Sequence, residues 1–161
     1  ITKVSDKPSA SGKPMLAITC ELIKPDKATV NGNIVDIAGF ERTEYIVFVT
    51  EGKGAKFLGN KIKILTDLGV PTGTITGATG PDDYIRRVQA LANTSLPGTK
   101  FDAMLEGKEE QAFNPLTPEE KLAGMAPTPK VGADGKPEMT IRMRIDLERG
   151  LIPGTTTKNP Y

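Results

Sequence analysis

Residues 15–23 read MLAITCELI, and the spacing of their apolar side chains decides the fold class. Every second residue of this stretch is apolar, and the series consists of Leu16, Ile18, Cys20 and Leu22. Successive side chains of a β-strand point to opposite faces of its sheet, so one face of the stretch is apolar. The pattern predicts a strand over Met15–Ile23 with one buried face.

Two more strands are expected before the middle of the chain. Asn31-Gly32 is the strongest short signal of a β-hairpin, and it stands just before the apolar stretch Ile34–Ala38. Gly39 then interrupts the strand pattern, as a bend does, and Thr43–Thr50 resumes it. The first part of the chain is therefore expected to be β-structure.

Helices are expected next, because the period of the apolar residues changes after Gly52. A stripe of leucine and isoleucine at helical spacing predicts a helix over Ala55–Leu68, and Gly69 stands where helices commonly end. A second helix is expected to begin at Pro81, since proline suits the first turn of a helix.

The remainder of the chain predicts two strands separated by a long loop. The strands are expected over Lys100–Gln111 and Glu138–Leu147. The stretch 113–137 between them is rich in proline and glycine, and only its residues 117–122 could begin a helical turn. Loops of this length in compact domains are usually functional, in contact with a partner, or mobile. We expect one domain over residues 1–150 and a C-terminal arm over residues 151–161.

The order of these elements, β-β-β-α-β-β, is that of the OB-fold, a five-stranded and partly open Greek-key barrel. The expected fold class is α+β, mostly β: a five-stranded OB-like antiparallel barrel with a two-helix insertion between strands 3 and 4. An α+β sandwich of different topology would give the same order.

The composition argues against catalysis. The chain has no histidine and only one cysteine, Cys20, so it lacks the commonest general base and the usual ligands of a zinc site. We expect no enzyme activity, no catalytic residue, no metal and no cofactor. The net charge is +1, and no stretch is apolar over the ~18 residues that a membrane span needs. A cytoplasmic protein with no membrane partner and no small-molecule substrate is expected.

The remaining candidates for catalytic or nucleotide-binding groups have simpler interpretations. Asp82 and Asp83 suit the N-terminus of a helix, where negative charge is favoured. The glutamates of residues 106–110 suit an exposed strand end. Residues 52–56 read GKGAK, but they lack the spacing of a nucleotide-binding loop.

Three short segments carry a family resemblance: SGKPML at residues 11–16, ILTDLG at residues 64–69 and GTKF at residues 98–101. With the order of elements, they resemble phage-encoded single-stranded-DNA-binding and recombination-accessory proteins of the OB type. The resemblance implies a sequence-nonspecific single-stranded DNA-binding protein of viral DNA replication or recombination, acting in the host cytoplasm. Because the chain has no tryptophan and few other aromatic residues, its affinity would depend more on charge than on stacking.

On that fold, a basic groove would bind the DNA. The predicted nucleic-acid-binding residues are Lys13, Phe40, Arg42, Lys53, Lys56, Arg142 and Arg144. Arg142 and Arg144 share one face of a strand. Lys53 and Lys56, with Lys61 and Lys63, surround the start of the first helix, where N–H groups also favour anions. In the simpler interpretations, the lysines form a solvated helix face, and Asp146 and Glu148 pair with the arginines. Tyr45 is expected in the core.

A second function, from a different class, fits the same sequence. The chain could be a structural or protein-interaction module of a phage or another assembly, and a homo-oligomer. In that case the 113–137 loop and the 150–161 segment would clasp a neighbour. A net charge near zero and the small number of aromatic residues favour this alternative.

Overall fold

The computed structural model describes residues 1–152 and 154–158, except for the side chain of Lys158. The strands are β1 (Lys3–Pro8), β2 (Pro14–Glu21), β3 (Lys27–Val30), β4 (Asn33–Asp36), β5 (Glu41–Val47), β6 (Thr99–Lys100), β7 (Leu105–Gln111), β8 (Met139–Ile145) and β9 (Thr157–Lys158). The α-helices are α1 (Leu58–Asp67), α2 (Pro81–Ser95) and α3 (Pro118–Leu122), and 3-10 helices cover Gly52–Phe57 and Thr72–Thr74.

The main sheet is antiparallel and has the strand order β1-β2-β5. Its central strand, β2, contains most of the predicted strand Met15–Ile23, and both of its edges are paired. Leu16 and Ile18 are fully buried on one face of β2, and Met15 and Ala17 on the other face are nearly so. The alternation in the sequence therefore predicted the core face of this strand correctly.

The core lies between one face of the main sheet and the two longer helices. The helix residues buried in it are Ile64 and Leu65 of α1 and Ile85, Val88 and Ala92 of α2. They form one cluster with Leu16, Ile18, Ile46 and Phe48 of the main sheet and its end. Full burial of an aliphatic or aromatic side chain of this kind contributes about 1.5–3 kcal/mol.

Both predicted helices are confirmed. The expected helix Ala55–Leu68 corresponds to the 3-10 helix Gly52–Phe57 followed directly by α1. Gly69 follows α1 with a φ of +99°, which L side chains rarely adopt, so glycine allows the chain to turn there. α2 begins at Pro81 as expected, because the first turn of a helix needs no N–H donor at that position.

The predicted turn at Asn31-Gly32 is confirmed, but the expected pairing is wrong, because the stretch after it pairs with the unpredicted strand β3 and not with the strand over residues 15–23. β3 and β4 are joined by Asn31 and Gly32 alone, which have φ values of 49° and 81°. Positive φ at both positions of a two-residue turn matches the right-handed twist of the strands. The hairpin pairs with no other strand among the described residues, and Asn31 Nδ2 donates to Glu109 Oε2 of β7 at 2.9 Å.

β7 and β8 form a separate antiparallel ribbon, with Leu105 opposite Ile145 at one end and Gln111 opposite Met139 at the other. The long loop between them contains α3, which starts where the sequence allowed a helical turn. A capping box fixes this start: Glu120 N donates to Thr117 Oγ1 at 3.2 Å, and Thr117 N donates to Glu120 Oε2 at 2.8 Å.

The described part of the C-terminal segment lies on the body of the protein. Leu151 forms a bridge with Ala103, and β9 pairs with β6. Thr156 Oγ1 donates to the carbonyl oxygen of Asp67 at 2.9 Å. Pro153 and residues 159–161 of the predicted arm lie outside the described residues.

The prediction of a five-stranded OB-like barrel is wrong, although the α+β class is right. The described strands form one sheet of three strands and three separate pairs, and none of these closes into a barrel. The unpredicted strand β1 occupies the free edge of β2. The expected strand Lys100–Gln111 is split into β6 and β7, which pair with different partners. Between β5 and β8, the Ile145 N–H donates to the Glu44 side chain rather than to a backbone ladder.

Within the described ranges, no helix is long and apolar enough to cross a membrane.

Candidate functional site

The face of the main sheet opposite the core is the candidate site, and we call it the open face. The strand registers place these side chains on it: Lys3, Ser5 and Lys7 of β1; Met15, Ala17, Thr19 and Glu21 of β2; Glu41, Thr43, Tyr45 and Val47 of β5. Alternation along each strand explains this set, because every neighbour of these residues points to the core face.

Two exposed aromatic rings have a lysine beside them. The Tyr45 side chain is 54% exposed on the open face, and Lys7 Nζ lies 5.4 Å from the centre of its ring. Phe57, which ends the 3-10 helix Gly52–Phe57, is 52% exposed, and Lys56 Nζ lies 4.9 Å from its ring centre. Both distances are within the ~6 Å typical of cation–π contacts.

The turn before β2 and the 3-10 helix Gly52–Phe57 lie at the same end of the main sheet. Phe48 N donates to Pro14 O at 2.9 Å, which places the turn that carries Lys13 beside the end of β5. Gly54 packs so closely on Val49 that a Cβ at residue 54 would lie 2.7 Å from Val49 Cγ1. The 3-10 helix is therefore held against the chain that leaves β5.

A shallow groove connects this helix with the open face, because Val47 and Phe57 both line it. We call this end of the sheet the basic end, and it comprises Lys7, Lys13, Tyr45, Lys53, Lys56 and Phe57. Its four lysines form no ion pair with the described residues. Asp6, next to Lys7, and Glu51, two residues before Lys53, are the exposed carboxylates nearest to them along the chain.

The other end of the main sheet carries two negatively charged side chains on the open face. Glu21 of β2 lies directly opposite Glu41 of β5, so two like charges adjoin there. β2 has eight residues, and at about 3.3 Å per residue its ends lie roughly 23 Å apart. A polyanion is therefore favoured at one end of the open face and disfavoured at the other.

The seven predicted binding residues fall into three groups. Lys13, Lys53 and Lys56 lie together at the basic end. Phe40 and Arg42 lie at the opposite end of the main sheet, where both line a cavity. The third group lies on the β7–β8 ribbon.

That third group, Arg142 and Arg144, is exposed but lies among carboxylates. Arg142 Nη1 lies 3.8 Å from Glu110 Oε1, and Arg144 is directly opposite Glu106. The expected partners Asp146 and Glu148 are engaged elsewhere, since Asp146 accepts backbone N–H bonds and Glu148 pairs with Lys61. The acidic neighbours on the ribbon weaken its attraction for a polyanion.

Sequence reasoning missed Lys3, Lys7, Tyr45 and Phe57. The prediction that Tyr45 lies in the core is wrong, because its neighbour Ile46 takes the core position and alternation turns Tyr45 outward. Lys3 and Lys7 were missed because β1 has one half-buried apolar residue, Val4, and so lacks the apolar alternation of a strand. The alternation of Tyr45 with Ile46 in the sequence could have indicated that the Tyr45 ring faces away from the core.

The acidic start of α2 has a structural role. Asp83 Oδ2 accepts the backbone N–H of Thr79 at 3.1 Å and lies 2.9 Å from Arg87 Nη2, and Asp83 also pairs with Arg86. The hydrogen bonds from Arg86, Thr79 and Arg87 hold the pKa of Asp83 well below its ordinary value. Arg87 Nη1 in turn donates to the carbonyl oxygen of Thr76 at 3.0 Å, so this network fixes the loop before α2.

The single cysteine is an interior residue. Burial, as the largest cause, raises the pKa of the Cys20 thiol to about 11, and the nearby Glu44 carboxylate raises it further. Cys20 is therefore a neutral thiol at pH 7, which makes it a poor nucleophile. Among residues 1–152 and 154–158, no group of three or more cysteine, aspartate or glutamate side chains could hold a metal ion.

Comparison of the chain with protein-family models, with curated proteins and with solved structures finds no match.

Proposed function

We propose that the chain binds single-stranded DNA, without sequence specificity, at the basic end of the open face. The observation that carries the proposal is the exposed Tyr45 ring with Lys7 beside it, on a sheet face that continues toward three more unpaired lysines. Exposed rings and cations on one surface are the two components of sequence-tolerant binding to single strands.

The aromatic component supports single-stranded rather than duplex nucleic acid. Tyr45 and Phe57 both present an exposed ring, and an unpaired base can stack on such a ring. The bases of a duplex stack on each other and leave no face for a protein ring. Each stacked base contributes about 1–3 kcal/mol to binding.

The charged component supports contacts with the phosphates. Lys13, Lys53 and Lys56 carry mobile ammonium groups that form no ion pair with the described residues, so a phosphate would displace only counterions. Such contacts carry no sequence information.

The test is a fluorescence-anisotropy titration of a labelled thymidine oligonucleotide of roughly 20 residues, longer than the site of one small domain. Tyr45→Ala should weaken binding about 5- to 150-fold, the range that one lost stacking contact implies. Phe113→Ala is the matched control, because Phe113 is exposed to nearly the same extent, 52% against 54% for Tyr45, but lies in the long loop after β7. No binding by the unaltered chain at low salt would overturn the proposal.

A second pair of variants locates the site. Lys53→Gln combined with Lys56→Gln should weaken binding, whereas Arg142→Gln combined with Arg144→Gln should leave it nearly unchanged. Both pairs remove two positive charges, so a general electrostatic effect would affect them equally. Loss of binding only in the arginine pair would place the DNA on the β7–β8 ribbon and contradict the proposed location.

One observation favours a second function, a structural or interaction module that self-associates. The exposed large apolar residues of the loop between β7 and β8 and its base are Phe113, Leu122, Met125, Val131 and Met139. Apolar surface of this kind commonly marks a contact with a protein. Sizing chromatography of Leu122→Lys combined with Met125→Lys tests it: a larger species for the unaltered chain, and a monomer for the variant, would support self-association.

A further inference from the structure

A cavity of about 590 Å³ lies at the end of the main sheet opposite the basic end. Its volume falls in the range of small-molecule sites in proteins, ~300–1,000 Å³. It is bordered by the end of β2, by the start of β5, by residues 99–105 and by the ribbon strand β8. Elements from distant parts of the chain therefore meet around it.

The walls of the cavity are mainly apolar. Its large apolar side chains include Leu22, Phe40, Phe101, Leu105, Met143 and Ile145. Met143 is 3% exposed, and Ile145 and Phe101 pack against the core cluster. An apolar ligand body would thus contact side chains that pack against the core.

One guanidinium group stands at this apolar wall in a fixed position. Arg42 Nε donates to Glu44 Oε1 at 3.3 Å, and the same oxygen accepts the Ile145 N–H at 3.2 Å. Glu44 therefore holds Arg42 by one edge of its guanidinium. The Nη groups of Arg42 make no hydrogen bond with the described residues.

Two more cations, Lys24 and Lys100, and two carboxylates, Glu21 and Asp102, also line the cavity. When Arg42 is counted together with its partner Glu44, three positive and three negative side chains surround the cavity, so they carry no net charge. Neither lysine forms an ion pair with the described residues. An anionic ligand is therefore favoured by direct contact with the free Nη donors of Arg42, which match one carboxylate, and not by an excess of positive charge.

We propose that this cavity binds a small monocarboxylic acid with an apolar chain, with its carboxylate on the Nη edge of Arg42 and its chain along the Phe40, Phe101 and Met143 wall. The planar carboxylate matches the two parallel donors of a guanidinium edge. The site is separate from the proposed DNA-binding surface, so either proposal can fail without the other.

The experiment is an NMR titration with decanoate of protein labelled at its methionine methyl groups. The chain has five methionines, and Met143 is the one that lines the cavity. Binding should shift the Met143 signal saturably and leave those of Met15 and Met125 in place. The Met143→Leu variant assigns the signal. No shift at Met143, or equal shifts of all five signals, would overturn the proposal.

Two comparisons test the recognition of the carboxylate. Arg42→Gln should weaken decanoate binding at least ~10-fold, as the loss of a charged hydrogen bond implies, and the control Arg144→Gln should not. Decanol should bind at least ~10-fold more weakly than decanoate to the unaltered chain. If decanol binds as tightly, or if Arg42→Gln keeps full affinity while its Met143 signal shows an intact fold, the carboxylate site is contradicted.

Discussion

The two faces of the main sheet are built from the same strands and serve opposite purposes. Leu16, Ile46 and Phe48 face the helices and are almost completely buried, while Lys7 and Tyr45 on the open face remain in solvent. One-residue steps along β5 move a side chain from one environment to the other. Along β5, stability and binding are therefore carried by alternate residues, and a substitution there should affect one of them without the other. On the central strand β2, Met15 and Ala17 of the open face are also buried.

The largest effect is expected on the core face. Phe48→Ala removes a fully buried ring and should lower the free energy of unfolding by about 3–5 kcal/mol. Tyr45→Ala, three residues earlier but on the open face, should change it by less than about 1 kcal/mol. Urea denaturation followed by circular dichroism measures both. Equal losses of unfolding free energy in the two variants would show that the open face is covered, and would contradict the difference between the two faces.

The next effect concerns charge at the basic end. Lys53→Gln combined with Lys56→Gln removes two phosphate contacts, so the slope of log affinity against log salt should become shallower by roughly 1.4, at ~0.7 per phosphate. Lys121→Gln combined with Lys136→Gln is the matched control, because those lysines lie in the long loop after β7. Anisotropy titrations at several salt concentrations measure the slopes. An unchanged slope in the first pair would mean that these lysines do not contact phosphates.

A smaller effect is expected at the start of α2. The pKa of Asp83 is lower in the folded chain than its ordinary value of 3.8, so its carboxylate stabilises the fold above that pH. The stabilisation is lost as the pH falls below 3.8 toward the folded-state pKa. Asp83→Asn should therefore lower Tm at pH 7, and the difference in Tm should shrink below pH 4. A difference that grows in acid would contradict the assigned role.

The smallest effect is expected in the long loop after β7. Thr117→Ala removes the side-chain acceptor of the capping box and should destabilise α3 locally by about 0.5–2 kcal/mol. Because no residue of α3 is buried, the global Tm should stay within experimental error. Hydrogen exchange at residues 118–122 measures the local destabilisation of α3, and a thermal melt measures the global Tm. A large drop in Tm would show that the loop is part of the cooperative core.

The elements that the sequence predicted well are those with a strong local signal. Apolar alternation defined β2, the Asn31-Gly32 pair defined the hairpin, and helical spacing with Gly69 and Pro81 defined α1 and α2. These signals arise from neighbours in the chain. They do not depend on which strand pairs with which.

The pairing itself could not be predicted in this way. β1 carries a single half-buried apolar residue, Val4, yet it forms an edge of the main sheet through backbone hydrogen bonds that any sequence can make. The barrel prediction failed because the order of elements does not specify partners. The candidate site was only partly found for the same reason: Lys13, Lys53 and Lys56 stood out as charges, but Lys7 depends on the position of β1.

The most direct test of the central claim is a map of the DNA contacts by ¹H–¹⁵N NMR titration with the thymidine oligonucleotide. The largest shifts should occur at the amides of Lys7, Tyr45 and Phe57 and in the turn at Lys13. Shifts confined to Arg142 and Arg144 on the ribbon, or to the Glu21 and Glu41 end of the sheet, would contradict the account.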